Sequence, residues 1–211
     1  MTDKDIPILE DLPEAVPVFP LPSHVFMPGV PIPYHIFEPR YQAMIRDLKA
    51  LPDGDRWIAI PQLRARLAGE QPGLPEFHRV ATVGRVVDML PVGGGRFDIL
   101  VEGLYRCALS EVHSPRPYRL VRPTVIPDVD AHLFESTDAG RPLCFKPIEQ
   151  GILSLVAMVG EQAGHLLSIL GSGAKPSIIL YRLGATLLHD PGRRQAFLEL
   201  SSIVARAEYL V

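Results

Sequence analysis

Proline placement constrains this chain more than any other feature of its sequence. Thirteen of the 22 prolines fall within the first 75 of 211 residues, and the run from Val16 to Pro22 alternates proline with apolar residues. Proline lacks a backbone N–H and clashes within a helix, so that segment is excluded from helix and from the centre of a sheet. It is expected to form edge strands or extended connections. After a second such run, Pro31 to Ile36, a helix is expected from about Glu38 to Ala50. Pro39 would sit in its first turn, with Tyr41, Met44, Ile45 and Leu48 on one stripe.

From Trp57 onward the pattern changes to strands: Trp57 to Ile60, Arg79 to Leu90, a turn at Gly93 to Gly95, and Arg96 to Val101. Phe97, Ile99 and Val101 alternate with Asp98 and Glu102, the period of a half-buried strand. Gly103 is expected to mark a bend or bulge before Leu104 to Val112, and Tyr118 to Val125 supplies a further strand. About six strands and one early helix point to an antiparallel pseudo-β-barrel over residues 14–126. Asp128, Asp130, Ser136, Thr137, Asp138 and Gly140 give 127–147 the character of a linker. Residues 148–211 have helical spacing, with segments expected over Ile148 to Val159, Glu161 to Leu170, Ser177 to Leu188 and Arg193 to Leu210, the last preceded by a cap at Asp190. The fold class is therefore α+β, a pseudo-barrel with one inserted helix followed by a helical bundle.

Composition narrows the function. A formal net charge of -3 provides no broad basic field, and nucleic-acid binding needs several phosphates neutralised by Lys or Arg. Arginines do recur at 79, 85, 96, 106, 116, 119 and 122, but Asp88, Asp98, Glu102 and Glu111 interrupt them, which favours a solvated mixed-charge face. Two cysteines, Cys107 and Cys144, fit buried thiols in a reducing compartment rather than a disulfide framework or zinc cluster. The amino terminus has no basic region leading into an apolar core, so the expected compartment is the cytoplasm. Glycines, Glu161 and His165 interrupt the apolar stretch 150–174, which is expected to be buried helix rather than a membrane span.

Motifs that could carry chemistry are weak. In the stretch Gly171 to Ser177, Ala174 and Pro176 flank Lys175, which is not Walker A spacing, so an inter-helix connection is expected. The seven histidines form no His-Glu-x-x-His arrangement, and Ser154, Ser168 and Ser177 lie among apolar helical residues rather than in a nucleophile elbow. No catalytic residue, cofactor or metal site is expected.

Four stretches carry a family resemblance: Val16 to Pro22 leading to Met27-Pro-Gly29; His35 to Ile45, which contains Glu38, Pro39, Arg40 and Tyr41; Ala81 to Val87 with Phe97 to Gly103 and Arg106; and Arg194 to Glu199. Together they resemble the amino-terminal, substrate-binding domain of Lon-type ATP-dependent proteases. Ala81 replaces a usual glycine, and Cys107 replaces a usual aromatic. The resemblance implies a PUA-like fold and a stand-alone member without the ATPase and peptidase parts. It also implies non-catalytic binding of unfolded or extended protein segments, with a protease or chaperone as a further partner.

The candidate contacts are Val25, Phe26, Met27, Pro28, Tyr34 and Phe37. These large side chains either close the barrel end or form an adaptable apolar surface, and open strand edges could add a peptide strand. Glu38, Pro39, Arg40 and Tyr41 are expected to be structural, with Glu38 capping the helix or pairing with an arginine. Two alternatives remain open at this point, a PUA-like RNA-binding module and a small-ligand-binding or hydrolytic protein.

Overall fold

The computed structural model describes residues 12–65, 75–133, 146–147, 150–151, 153–154 and 163–210. The chain divides into two compact units, Met1–Ile126 and Pro127–Val211. The first contains β1 (Val16–Pro17), β2 (Pro31–Ile36), α1 (Pro39–Lys49), β3 (Trp57–Ile60), β4 (Val80–Gly93), β5 (Arg96–Val112) and β6 (Leu120–Val125). The second contains α2 (Ala163–Leu170), α3 (Pro176–Leu187), α4 (Pro191–Glu199) and α5 (Ile203–Leu210).

The strands of the first unit form one antiparallel sheet in the order β1-β6-β5-β4-β3, with β2 added beside the first half of β5. It curls until its two ends meet. Just after β1, Val18 lies parallel to Ala59, the Phe19 N–H donates to the Ala59 carbonyl at 2.9 Å, and the Leu21 N–H donates to Pro61 at 3.1 Å. Isolated bridges rather than a continuous ladder make this closure, so the barrel is incomplete. The early prolines account for that, because a proline-rich segment cannot supply the regular donors of a closing strand.

Two apolar clusters fill the unit. Val16, Val18, Trp57, Ala59, Val83, Cys107, Leu109 and Val121 pack together in one, whereas Ile58, Ile60, Ile99 and Val101 join Tyr41, Met44, Ile45 and Leu48 of α1 in the other. β3 contributes to both, and all four of its residues are buried. That is why its sequence is an unbroken apolar run with no polar alternation.

β4 and β5 form a long hairpin whose turn holds Gly93, Gly94 and Gly95 at φ of 86, 60 and 75°, a conformation that disfavours any side chain. Further along, the pairing shifts between Val83 and Gly84, leaving Leu104 without a direct partner beside Gly103. The segment Phe26–Met27 crosses the strands at this bulge. A Cβ on Gly103 would lie 2.4 Å from the Met27 carbonyl oxygen, and one on Gly84 would lie 2.2 Å from that of Glu102. The Phe26 ring rests against both glycines.

In the second unit, the continuous helix expected from Arg193 to Leu210 is instead two helices, α4 and α5. Ser202 interrupts it by accepting from the Ala205 N–H at 3.0 Å, an N-cap arrangement that competes with helix continuation. Asp130 completes the cap: its carboxylate accepts from the N–H groups of Ile203 and Val204, at 2.8 and 3.0 Å, and from the Ser202 hydroxyl at 2.7 Å. The start of the expected 127–147 linker is thus part of the packed structure. Asp128 pairs at 2.5 Å with Arg206, whose wholly buried guanidinium stacks over Tyr181 and donates to the Leu200 carbonyl. Residues 134–145 of that linker lie outside the described residues, as does most of the expected helix from Ile148 to Val159. Gly171 to Lys175 connects α2 to α3, with Gly173 at a φ of 69° and Pro176 opening α3.

Replacing Gly103 with alanine should destabilise the fold by about 1–3 kcal/mol, the usual range for overpacking. Gly54, which has open space around its Cβ position, provides the control and should move the melting temperature little when changed to alanine. For Asp130, burial pushes the carboxyl pKa up, but the two backbone donors and the Ser202 hydroxyl outweigh it and hold the pKa below its ordinary value. That stabilisation is present above the unfolded carboxyl pKa of about 3.9 and is lost as pH falls through the folded value. Asp130→Ala should therefore cost about 1 kcal/mol near neutral pH, and urea titrations should show the gap from the unmodified protein narrowing in acid.

Candidate functional site

The expected apolar loop does not form a surface. Val25, Phe26 and Met27 are 4%, 0% and 1% exposed, and Pro28 is buried beside them. Of the two readings open in the sequence, their burial and packing over Gly84 and Gly103 fit closure of the barrel end. The Thr82 hydroxyl donates to the Phe26 carbonyl at 2.6 Å, and the Gly29 N–H donates to Gly103 at 2.8 Å, which fixes the crossing from both sides. Tyr34 is half-buried, with its hydroxyl 2.8 Å from His24 Nε2 and its ring edge-on to Phe19 and Phe26. Burial pushes its phenol pKa up.

Phe37 is the exception, at 62% exposed. Its ring stacks on His35, whose Nδ1 is 2.6 Å from Asp98, and Asp98 is paired across the sheet with Leu90. Pro33, Leu100 and Asp88 form the next row on the same outward face of β2, β5 and β4. Leu90 is 58% and the bulged Val87 48% exposed. The sequence reading missed Leu90, His35 and Asp98 as a group, since only the register of three strands brings them together.

Backbone edges beside this face are poor in donors. On β2, Pro31 and Pro33 cannot donate, so the paired side of the strand uses Ile32, Tyr34 and Ile36, and the prolines turn outward. Only His35 among residues 31–36 brings an N–H to that edge. On the opposite flank, the Val86 N–H donates to Arg56, the Met89 N–H is taken by the carboxylate of Asp88 at 2.8 Å, and Pro91 has none. Strand addition, one of the binding modes open in the sequence, thus lacks its usual donors on both flanks of this face.

Glu38 makes no side-chain cap to α1. It pairs instead with Arg40, whose Nε and Nη2 lie 2.9 and 2.8 Å from one carboxylate oxygen, and Arg40 also covers the Tyr41 ring. Pro39 opens the helix, and Tyr41 is buried with its phenol pKa raised by that burial. This cluster therefore anchors the helix start.

A groove of about 410 Å3 opens beside it. Val18, Pro20, Leu63 and Val112 are among its apolar walls, Arg40, Glu111, Arg116 and Arg119 contribute charged groups, and His113 adds an imidazole. Arg119 is held by Glu111 through Nε and Nη2, at 2.6 and 2.8 Å, and by the Pro75 carbonyl at 2.7 Å. The bond from Arg119 holds the Glu111 carboxyl below its ordinary pKa. Arg116 meets Asp47 and the Tyr118 hydroxyl; burial, then the bond to Asp47, push the Tyr118 phenol to about 12. The groove escaped the sequence reading because its partners, such as Asp47 and Arg116, lie far apart in the chain.

The arginines of the strands do not gather into one basic face. Arg106 is buried and bonds to the Ile126 carbonyl, Arg85 stacks over Trp57, and Arg122 pairs with Glu14. Cys107 lies in the barrel core, where burial pushes its thiol up to about 12 and leaves it unreactive. Among the described residues, no group of three or more His, Cys, Asp or Glu is placed to hold a metal ion. Cys144 lies outside the described residues.

Residues 15–211 match the family model described as the ATP-dependent protease La (LON) substrate-binding domain. The chain belongs to this family. Among sequence relatives, Lon protease 2 of Myxococcus xanthus is 31% identical over 119 residues, 56% of this chain and 14% of that protein. Lon protease of Cytophaga hutchinsonii is 21% identical over 202 residues, 96% of this chain and 24% of that protein. The chain thus spans less than a quarter of these relatives, matching their amino-terminal substrate-binding part, which is non-catalytic. The fold agrees with that of solved Lon domains. The N-terminal domain of the Mycobacterium avium complex Lon protease superposes with a TM-score of 0.65 at 19% identity, covering 93% of this chain and 95% of that one. The Lon N-terminal domain protein from Xanthomonas campestris gives 0.60 at 22% identity, covering 93% and 96%. No helix among the described residues is long and apolar enough to cross a membrane.

A sheet blunted at both flanks of its outer β2–β5–β4 face should become adhesive when donors are restored. Pro31→Val with Pro33→Val adds two outward N–H groups to β2, and light scattering should show stronger concentration-dependent association than for the unmodified protein.

Proposed function

We propose that this chain binds extended or unfolded polypeptide segments without altering them, through side chains on the outer face of β2, β5 and β4. The barrel unit, about residues 14–126, carries the contact, and a protease or chaperone receives the bound segment. The observation that carries this reading is the exposure of Phe37, Val87 and Leu90 on one outer sheet face, where they are interspersed with His35, Asp98 and Asp88 and flanked by edges poor in donors. Aromatic and leucine side chains on such a face accept varied sequences, because apolar contact is non-directional. His35 and Asp98 supply a polar interruption that keeps the patch soluble when empty.

Membership of a substrate-binding family supports polypeptide as the occupant. The RNA-binding alternative is disfavoured by the dispersal of the arginines, several of which are paired with carboxylates. The hydrolytic alternative finds little support, since the chain's only described thiol is buried and unreactive.

Covering a phenylalanine ring stabilises association by about 1.5–3 kcal/mol. Phe37→Ser should therefore weaken binding of a fluorescent, chemically unfolded model polypeptide about 10- to 100-fold, and Leu90→Ser less. Both residues are exposed, so the melting temperature should stay within a few degrees of the unmodified value. Unchanged anisotropy titrations for both variants would reject this face.

A further inference from the structure

The outer face of β2, β5 and β4 carries charge among its apolar side chains, and that charge is not balanced by neighbouring cations. Asp98 accepts from His35 Nδ1 at 2.6 Å, and Asp88 accepts from the Met89 N–H beside it at 2.8 Å. Among the described residues, neither carboxylate forms an ion pair with a lysine or arginine. Arg85 is engaged elsewhere, lying 4.7 Å over the Trp57 ring and opposite Glu102 in the register. Arg96, at the hairpin end of β5, turns its Nε to the Gly93 carbonyl at 3.2 Å. On the reading that this face binds polypeptide, we propose that the segments it selects are basic as well as apolar, extended stretches in which lysine or arginine alternates with aliphatic or aromatic residues. The cations meet Asp88 and Asp98, and the apolar residues meet Phe37, Val87, Leu90 and Leu100.

The register of the strands sets out the alternation. Leu90, Asp98 and His35 form one row across the sheet, and Asp88, Leu100 and Pro33 form the next. Acidic and apolar groups therefore adjoin both across the strands and along them, with Asp98 two residues from Leu100 on β5 and Asp88 two from Leu90 on β4. An extended segment repeats its own same-side positions at that two-residue spacing, roughly 6.5–7 Å, so side chains of mixed character find matching contacts along it.

Desolvation decides between occupants. The side chains of Asp98 and His35 are 51% and 47% exposed, and Asp88 is exposed as well, so water serves the lone pairs that the protein leaves open. A wholly apolar segment laid on Leu90 would strip that water and return no partner, and an acidic one would add repulsion. A lysine or arginine returns a charge-assisted bond in its place. Phe37 adds a second attraction for a cation. Its ring is 62% exposed and stacks on His35, which also bonds Asp98, so ring and carboxylate share one neighbour. Ammonium and guanidinium groups are drawn to aromatic faces as well as to carboxylates.

The test measures fluorescence anisotropy of three extended peptides that share leucine and valine and alternate them with lysine, glutamine or glutamate. At low salt the lysine peptide should bind roughly fivefold more tightly than the glutamine peptide, and the glutamate peptide more weakly than both, with the differences shrinking as sodium chloride is raised. Asp88→Asn with Asp98→Asn should erase the lysine preference and leave the glutamine peptide bound. Because the whole chain carries a formal charge of -3, Glu14→Gln with Glu76→Gln removes two exposed carboxylates elsewhere and should leave the preference in place. Should the double asparagine variant not fold, Asp88→Asn alone must lower the preference, since that carboxylate bonds only its own neighbour's N–H. Equal binding of the three peptides, lost in Phe37→Ser, overturns this proposal while the unfolded-chain reading stands; binding of none of them removes both. A lysine preference that survives in the folded asparagine variant, or that the Glu14 and Glu76 control abolishes equally, also overturns it.

Discussion

The first unit depends on a crossing of backbone over backbone. Where Phe26–Met27 passes the bulge of β4 and β5, two positions have room for nothing larger than hydrogen, and Gly84 and Gly103 occupy them. The crossing draws the proline-rich start of the chain into the barrel, where Thr82 and Gly103 fasten it. Everything placed afterwards inherits its position from that fastening. β2 leaves the crossing to lie along β5, α1 follows β2, Phe37 precedes the start of α1, and Arg40 and Tyr41 of its first turn line the groove.

Most of the fold was legible because its signals are local. Proline excludes helix wherever it falls, the glycine triplet demands a turn, and Tyr41, Met44, Ile45 and Leu48 repeat with helical spacing. Where the reading failed, a distant residue intervened. Ser202 interrupts the last helix with the help of Asp130, which lies more than 70 positions earlier and within what composition suggested was a linker. A polar stretch and a polar cap have the same composition, and only the fold distinguishes them.

The candidate site was legible in part for the same reason. Six large residues near the barrel mouth stood out, and the structure separates them by side-chain direction. Val25, Phe26, Met27 and Pro28 point inward and fill the barrel end, Tyr34 is half-buried, and Phe37 emerges because it follows the last residue of a strand. Hydrophobicity alone cannot say which side of a surface a residue lies on. Nor could it foretell the arginine groove, whose members are assembled from α1, the segment after β1, and the connection between β5 and β6.

The prolines of β2 have a consequence for any protein that handles unfolded chains. Such chains are sticky along their backbones as well as their side chains, and an unguarded sheet margin offers them a template on which to grow. By presenting carbonyls almost without matching amides, this margin offers a foreign strand few of the bonds along which it could zip. A barrel with so bare a margin is itself a poor seed for aggregation.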